Sequence, residues 1–202
     1  MTKGIVYYTD NSGDINMRRA VYKQLVRAAD SIPIVCVSWL PFPCEWNIVT
    51  GKGKRGNSNV HKQIVIGAKA LKSDVIFMAE HDVLYHKSHF AFTPEDRNIR
   101  YFNENKWRLR LDDGATVFLP LQKGRIAFLS QMVAHTDAVI DHYTKERFVN
   151  KRKFMSHCPN IDIRHANNYT RNRAFSKPSV LAHGVPFWGS SKKIMAMLEK
   201  PC

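Results

Sequence analysis

The tripeptide Glu80-His81-Asp82 is the part of the chain whose residue types and spacing best suit chemistry. It directly follows Val75-Ile-Phe-Met-Ala79, a run with the composition of a buried strand. Two carboxylates at the end of such a strand can bind a divalent cation, which in turn neutralises a diphosphate. The competing interpretation is a strand-end turn in which Asp82 caps a helix, as acidic residues often do.

A basic, glycine-rich segment over residues 51–59 precedes a predicted helix over residues 60–72. Its glycines, its basic side chains and the backbone amides around Asn57 could cradle phosphate groups. Lys62 opens the helix and could face the same cleft. The segment lacks the Gly-Lys-Ser/Thr of a Walker A loop, and an unliganded surface loop is the competing interpretation.

Two of the nine histidines, His165 and His183, lie in segments dense in polar and aromatic residues. Both are candidate metal ligands, although residues 162–173 could instead form a hydrogen-bonded network that fixes an irregular loop. The absence of a Gly-x-Ser-x-Gly motif disfavours hydrolases that use a serine nucleophile. The four cysteines have no metal-binding spacing and are expected to be reduced.

The scaffold that must position these residues follows from the apolar pattern of the first half. Strands are predicted over 4–9, 32–39 and 74–79, and helices over 15–30 and 60–72. This alternation is typical of an α/β fold built on a parallel sheet. Ligands of such sheets bind beyond the carboxyl ends of the strands, where Asp10-Asn11 and Glu80-His81-Asp82 both fall.

The second half is less regular. Strand and turn are predicted over residues 99–110, a strand over 115–121, helices over 130–147 and 191–199, and a loop-rich segment over 157–190. No internal repeat or low-complexity linker interrupts the 202 residues, so a single domain is expected.

Charge is the unusual property of the composition. The net charge is +14, and the stretch 145–177 is strongly basic. A polyanionic partner would explain this excess, whether nucleic acid, nucleotide phosphates or an anionic surface, and a solubilising face is the alternative. No apolar run reaches the roughly 18–20 residues that span a bilayer, and the N-terminus does not resemble a signal peptide. A cytoplasmic protein is therefore expected.

Several of these segments together resemble the GT-A-fold glycosyltransferases, in particular glycosyltransferase-like proteins of bacteria and phages. The resemblance rests on Tyr8-Thr-Asp-Asn11 after the first strand, on Ile76 to Tyr85 with its acid-x-acid strand end, and on the segments around Tyr101–Trp107, Asp162–Thr170 and Phe187–Gly189. It implies one Rossmann-like domain over residues 1–202 with a mixed central sheet flanked by helices. Residues 1–90 would then bind the nucleotide and residues 91–202 the acceptor.

The resemblance also implies a role for individual residues. The donor would be a nucleoside-diphosphate sugar, most simply a UDP-sugar, bound by Tyr8, Thr9, Asp10, Asn11, Arg55, Asn57, Lys62, Glu80 and His81. The metal, Mn²⁺ or Mg²⁺, would be held by Asp82 with Glu80 and with His165 or His183. An inverting reaction also needs a base near the acceptor hydroxyl, for which Asp112, Asp113 and Asp137 are candidates.

The excess of basic residues also bears on the identity of the acceptor. A DNA acceptor, with transfer to a hydroxymethylated base as phages perform it, would account for the excess of Lys and Arg. The candidate acceptor or nucleic-acid contacts are Trp107, Lys151, Arg152, Lys153, Arg164, Arg171, Arg173 and Trp188. The alternatives are a glycan, lipid or small-molecule acceptor, a basic DNA-binding protein without catalysis, and a metal-dependent nuclease.

Overall fold

The computed structural model describes residues 1–119, 128–145, 150–166, 168 and 182–199. The strands, in chain order, are β1 (Lys3–Thr9), β2 (Ile34–Ser38), β3 (Asn47–Val49), β4 (Val75–Glu80), β5 (Val83–Leu84), β6 (Ile99–Asn103), β7 (Lys106–Arg110), β8 (Thr116–Phe118), β9 (Met132–His135), β10 (Asn150–Phe154), β11 (Asn160–Arg164), β12 (Gly184–Val185) and β13 (Gly189–Ser190). The helices are α1 (Ile15–Ala29), α2 (Asn57–Leu71), α3 (Lys87–Ala91), α4 (Thr136–Lys145) and α5 (Ser191–Glu199).

The centre of the fold is a mixed sheet with the strand order β10-β6-β9-β4-β1-β2-β3. Strands β1 to β4 run parallel to one another, whereas β9 is antiparallel to both β4 and β6, and β10 is parallel to β6. Helices α2 and α4 pack on one face of this sheet, and α1 and α3 on the other. The predicted fold class, a mixed central sheet flanked by helices, is confirmed.

The turn after β1 sets the start of α1. The Asp14 carboxylate accepts hydrogen bonds from the amides of Asn16 and Met17 and so caps the helix. Asn11 and Gly13 have φ of 58° and 79°, left-handed conformations that Asn and Gly adopt most readily. The polar turn therefore bends back sharply beside the end of β1.

The prediction of one helix over residues 130–147 is wrong in its first part. Residues 132–135 form β9, an interior strand buried on both sides, and helix α4 begins only at Thr136. The cause is the run Met132-Val-Ala-His135, which is too short for its periodicity to distinguish a buried strand from a helix.

A second sheet, with the order β5-β11-β7-β8, packs beside the first. Strand β11 lies inside the segment predicted to be loop-rich, so that prediction is wrong for residues 160–164. Side chains alternate across this sheet. Trp107, Leu109, Ile161 and Ile163 pack into a core with α1 and α5, and the charged residues between them face the other way.

No helix in the described part of the chain is long and apolar enough to cross a membrane. The proposed division at residue 90 stays a prediction. It does not coincide with the boundary between the sheets, because β6, β9 and β10 belong to the central one.

Candidate active site

A cavity of about 710 Å³ opens at the carboxyl ends of β1 and β4. These strands are neighbours in the central sheet, with Tyr8 in register with Glu80, so the polar residues that follow them meet at one edge. Helix α2 contributes its first turns, and β11 ends at the same place. Asp10 and the Glu80-His81-Asp82 cluster, which were predicted to share a site, therefore line one cavity.

Three side chains in this cavity lie close enough together that they could hold a metal ion. His81, Asp82 and His165 each offer an atom, and these atoms all lie within 4.8 Å of one another. Imidazole nitrogens suit first-row transition metals such as Zn²⁺ and Fe²⁺, and a carboxylate oxygen suits Mn²⁺ as well. Asp82 does not cap a helix, because β5 follows it and His86 caps α3.

Hydrogen bonds hold this cluster in place. The Asn168 amide donates to Asp82 Oδ2 over 2.7 Å, and the amide of Ile163 in β11 donates to the Asp82 carbonyl over 2.7 Å. Gly13 lies so close to His165 that an added Cβ would be 3.0 Å from the ring. Burial lowers the pKa of His165, which favours the neutral imidazole that binds metals.

Glu80 is not a member of this three-residue cluster. Its Oε1 accepts a hydrogen bond of 2.6 Å from the Tyr8 hydroxyl, its register partner on β1. Burial, with the charge of Asp82, raises the pKa of Glu80 to about 7. The carboxylate is thus oriented by the sheet, whereas His81 and Asp82 belong to the turn beyond it.

The donor-side residues divide into those that line the cavity and those that shape it. Asp10 lines it and pairs with Arg55 over 2.5 Å. Burial acts to raise the pKa of Asp10, but hydrogen bonds from Ser12 and Arg55 outweigh burial, so that the pKa is lowered. Asn11 shapes the turn instead, since its side chain exchanges two hydrogen bonds with the backbone of Leu40.

Helix α2 presents part of its first two turns to the cavity. Asn57 lines it, but Lys62 is exposed to solvent and lies outside it. Buried Gln63 donates to the carbonyls of Thr9 and Val37 over 2.9 and 3.0 Å, and so joins the helix to β1 and β2. The predicted phosphate role of Lys62 is therefore not supported by its position.

The opposite wall of the cavity is basic. It contains Arg100, Arg108, Lys151 and Arg164, together with the carboxylate of Asp162. Of these, only Lys151 and Arg164 were predicted. The strand Lys106-Trp-Arg-Leu-Arg110 carried the missing signal, because charged residues at every second position of a buried strand share one face.

Other predicted residues lie away from the cavity. Asp112 and Asp113 sit in the turn after β7 and pair with Arg110, and exposed Asp137 pairs with Arg97. None of these three carboxylates lines the cavity.

The second histidine candidate, His183, packs beside α5, where its carbonyl accepts hydrogen bonds from Ser191. It is therefore separate from the cluster of His81, Asp82 and His165.

The residues predicted to contact the acceptor also lie in different parts of the fold. Trp107 faces the core of the second sheet because of strand alternation, and Trp188 donates its Nε1 hydrogen to the Pro159 carbonyl. Arg152 and Lys153 are exposed on β10, the edge strand. Lys153 pairs with Glu104. Arg171 and Arg173 lie outside the described residues.

No protein-family model and no curated protein matches the sequence. Among solved structures, the chain is similar to a glycosyltransferase involved in the glycosylation of the major capsid of PBCV-1. The TM-score is 0.47 and the identity 7%, over 80% of this chain and 92% of that one. It is also similar to the glycosyltransferase GlyE of Streptococcus pneumoniae TIGR4, with a TM-score of 0.39 and 10% identity over 72% of this chain and 36% of that one.

A third similar structure is the inositol-1-phosphate CTP transferase from T. maritima, with a TM-score of 0.39 and 12% identity over 81% of this chain and 84% of that one. Two of the three neighbours are glycosyltransferases, the class that the sequence resembles. At this level of similarity no activity transfers to this chain, and the function rests on the geometry of the site.

Proposed function

We propose that the chain is a metal-dependent glycosyltransferase that uses a nucleoside-diphosphate sugar. The observation that carries the proposal is the cluster of His81, Asp82 and His165, which lies in a cavity with a basic wall. A divalent ion held by these side chains would neutralise a diphosphate and stabilise it as a leaving group. A cavity of about 710 Å³ is within the range that accommodates small-molecule ligands and cofactors.

The roles of individual residues in the reaction then follow from their positions on the two walls of the cavity. Asp10 and Arg55, fixed to each other, would position the nucleoside and the sugar at the end of β1. Arg100, Arg108 and Arg164 would add positive charge where negative charge develops on the departing diphosphate. We propose a UDP-sugar as the donor and Mn²⁺ or Mg²⁺ as the ion, as the sequence resemblance implies.

For the acceptor we retain the proposal of DNA that carries a hydroxymethylated base. Two features support it: the net charge of +14, and the exposed Lys151, Arg152 and Lys153 on β10, of which Lys151 also lines the cavity. Cations along an edge strand that leads into a cavity would bind a phosphate backbone beside it. A glycan, lipid or small-molecule acceptor is the alternative.

A thermal-shift screen tests the donor half of this proposal. The protein is heated with nucleoside diphosphates and their sugars, each with and without Mn²⁺. A ligand that binds the native state raises the melting temperature by mass action. We expect the melting temperature to rise only when nucleotides of one family and the metal are both present. A rise with DNA alone would instead favour a binder or a nuclease.

The acceptor half is tested by electrophoretic mobility at low salt, followed by transfer to duplexes with and without hydroxymethylcytosine. We expect a retarded complex that dissociates as salt increases, because phosphate contacts release counterions. The absence of any complex at low salt would remove DNA as the acceptor and leave the glycosyl donor site untouched.

A further inference from the structure

An aromatic side chain is held out into solvent at the turn between β12 and β13. Residues 185–188 form this turn, which is closed by a hydrogen bond of 3.1 Å from the Trp188 amide to the Val185 carbonyl. Phe187 takes the third position, with a φ of 68° and 69% of its surface exposed. Turns with a positive φ at this position normally carry Gly or Asn there. A bulky residue at this φ is strained, and such strain clusters at functional sites.

The residues on either side of Phe187 fix the turn to the protein. The Trp188 indole donates its Nε1 hydrogen to the Pro159 carbonyl over 2.8 Å. Val185 is buried in the core that the second sheet shares with α1 and α5. The Phe187 ring lies outside that core, beside exposed His157, with 5.2 Å between the ring centroids. The turn is therefore anchored by the neighbours of Phe187 and presents its ring on a firm support.

Phe187 belongs to a small exposed surface, which we call the tip patch and which consists of Met155, His157, Pro186 and Phe187. All four are exposed, Met155 to 64% of its surface. Met155 precedes His157 by two positions, and buried Ser156 lies between them. Apolar side chains exposed in this way gain free energy when a partner covers them. The tip patch therefore has the composition of a contact surface.

Strand β10 connects the tip patch to the cavity through a run of cations. It leads from Lys151, which lines the cavity, to Met155 four residues further on, a distance of about 13 Å along an extended chain. Arg152 and Lys153 lie between them and are exposed. Lys153 pairs with Glu104 over 2.6 Å. The exposed edge of the central sheet is therefore basic beside the cavity and apolar at its far end.

Two further lysines lie next to the turn. A Cβ on Gly189 would lie 3.5 Å from the Cδ of exposed Lys193. Exposed Lys87 follows His86, whose ring centroid is 6.3 Å from that of Trp188. The apolar tip patch thus has cations on more than one side, which matches a partner that carries both anionic groups and apolar faces.

Nucleic acid and an anionic bilayer both have this character. Bilayer binding increases with the apolar area that is inserted, and one Phe with one Met supplies little of it. Phosphate groups spaced along a duplex match cations spaced along a strand, and the net charge of +14 extends this match to the chain as a whole. Nucleic acid is therefore the partner that the charges favour.

We propose that Phe187 is a DNA contact, an apolar wedge at the far end of the surface that holds the duplex beside the cavity. Phe, Met and Pro are residue types that insert between base steps. Pro159, which anchors the turn, and the candidate metal ligand His165 lie six residues apart across β11, about 20 Å. At 3.4 Å for each base pair, the wedge acts about six base pairs from the reacting base. The inference rests on the DNA acceptor proposed above.

The test compares wild type with Phe187→Gly in binding to a fluorescently labelled duplex, followed by anisotropy. Glycine relieves the strain at a φ of 68°, so the variant should melt at or above the temperature of wild type. We expect it to bind the duplex about tenfold or more weakly, the usual loss when an aromatic contact with a base is removed. Trp46→Gly removes an exposed aromatic beside β3, at the other edge of the central sheet, and should leave the DNA affinity unchanged.

Salt dependence separates the apolar contact from the phosphate contacts. Phe187→Gly should keep the wild-type slope of log affinity against log salt concentration, because no charge is removed. Arg152→Gln, on β10, should reduce the steepness of that slope by about 0.9, the contribution of one phosphate contact. Duplexes with 2-aminopurine at successive positions report the wedge itself. Fluorescence should rise at one step with wild type and at no step with Phe187→Gly, since unstacking the probe increases its emission.

Several results would overturn the wedge. Wild-type DNA affinity in Phe187→Gly, or no fluorescence change at any position with wild type, would reject it and leave the DNA acceptor standing. Weaker binding together with a lower melting temperature would make Phe187 a structural residue of the turn. Phe187-dependent binding to vesicles of phosphatidylserine and phosphatidylcholine, without DNA binding, would assign the tip patch to a bilayer. Wild type that binds no DNA at low salt would reject the acceptor and the wedge together, whereas the thermal shift with nucleotide and Mn²⁺ would still report the donor site.

Discussion

The side chain of Asn168 joins Asp82 to the backbone of His165. Its amide nitrogen donates to Asp82 Oδ2 over 2.7 Å, and its amide oxygen accepts from the His165 backbone nitrogen over 2.6 Å. Asp82 and Asn168 are 86 positions apart in the chain. One neutral side chain therefore fixes the relative position of two candidate metal ligands from different segments.

Replacing Asn168 by alanine should weaken metal binding without removing a ligand. We expect the Mn²⁺ affinity to fall about 10- to 100-fold, the usual effect of losing a group that orients a metal ligand. Calorimetric titration of Mn²⁺ measures this, with exposed Asn98→Ala as the control. An unchanged affinity would mean that Asp82 is oriented by the backbone bond from Ile163 alone.

Asp82→Asn should weaken metal binding strongly, since a neutral amide oxygen holds a divalent ion far less tightly than a carboxylate. The variant can still accept the hydrogen bond from Asn168, so its melting temperature without metal should remain close to that of wild type. Asp30→Asn makes the same change at an exposed position at the end of α1. Glycosyl transfer should fall to background in the first variant only. Full activity in Asp82→Asn would reject the metal site.

Sequence reasoning located one side of the site because parallel strands share an edge. Asp10 and the Glu80–Asp82 tripeptide each follow a strongly apolar strand, and strand order alone brings their ends together. It could not separate His165 from His183, because the difference depends on where β11 joins the second sheet. That strand is short and polar at alternate positions, and its burial comes entirely from tertiary contacts.

The aromatic residues also show that the sequence alone does not determine which side chains face the cavity. In the sequence, Trp107 was predicted to contact the acceptor. Because side chains alternate along β7, Trp107 instead packs against the core of the second sheet and Arg108 faces the cavity. A shift of one residue in the assumed face exchanges the two roles. The burial of the Asp162 carboxylate could likewise not be predicted from the sequence, because its three cationic neighbours come from two strands. They are Lys106, Arg108 and Arg164.

The two candidate histidines can be distinguished by experiment. His165→Ala should lower the Mn²⁺ affinity, because the ring is one of the three candidate ligands whose atoms lie within 4.8 Å of one another. His183→Ala should leave it unchanged, since His183 packs beside α5 and outside the cavity. Metal titrations of both variants at one pH provide the measurement. Equal losses in the two variants would contradict the cluster described above.

Gly67→Ala should disturb the helix that presents residues to the donor side. A Cβ at Gly67 would lie 2.5 Å from a methyl group of Val6, and Val6 is β-branched and stiff in its strand. Helix α2 must then move away from β1, at a cost of about 1–3 kcal/mol. Urea denaturation measures this loss, with exposed Lys69→Ala as the control on the same helix. A variant as stable as wild type would show that the helix–sheet contact is loose.

Buried His89 should make the stability depend on pH. It is fully buried between Phe77 and Phe154, and burial lowers its pKa to about 3. In the unfolded chain a histidine has a pKa of about 6.5, so between pH 6.5 and 3 the unfolded state binds the additional proton. Stability should therefore decrease as the pH falls through this window, by about 2 kcal/mol from pH 7.5 to pH 5.

Replacing His89 by phenylalanine isolates that contribution. The variant loses the contact with Asn103 and should be less stable at pH 7.5, but its change between pH 7.5 and pH 5 should be smaller by about 2 kcal/mol. Urea denaturation at the two pH values gives both numbers, and His157→Phe, at an exposed position, provides the matched comparison. If the variant keeps the full pH dependence of wild type, the proton uptake belongs to other groups, and the pKa of His89 in the folded protein is close to that in the unfolded chain.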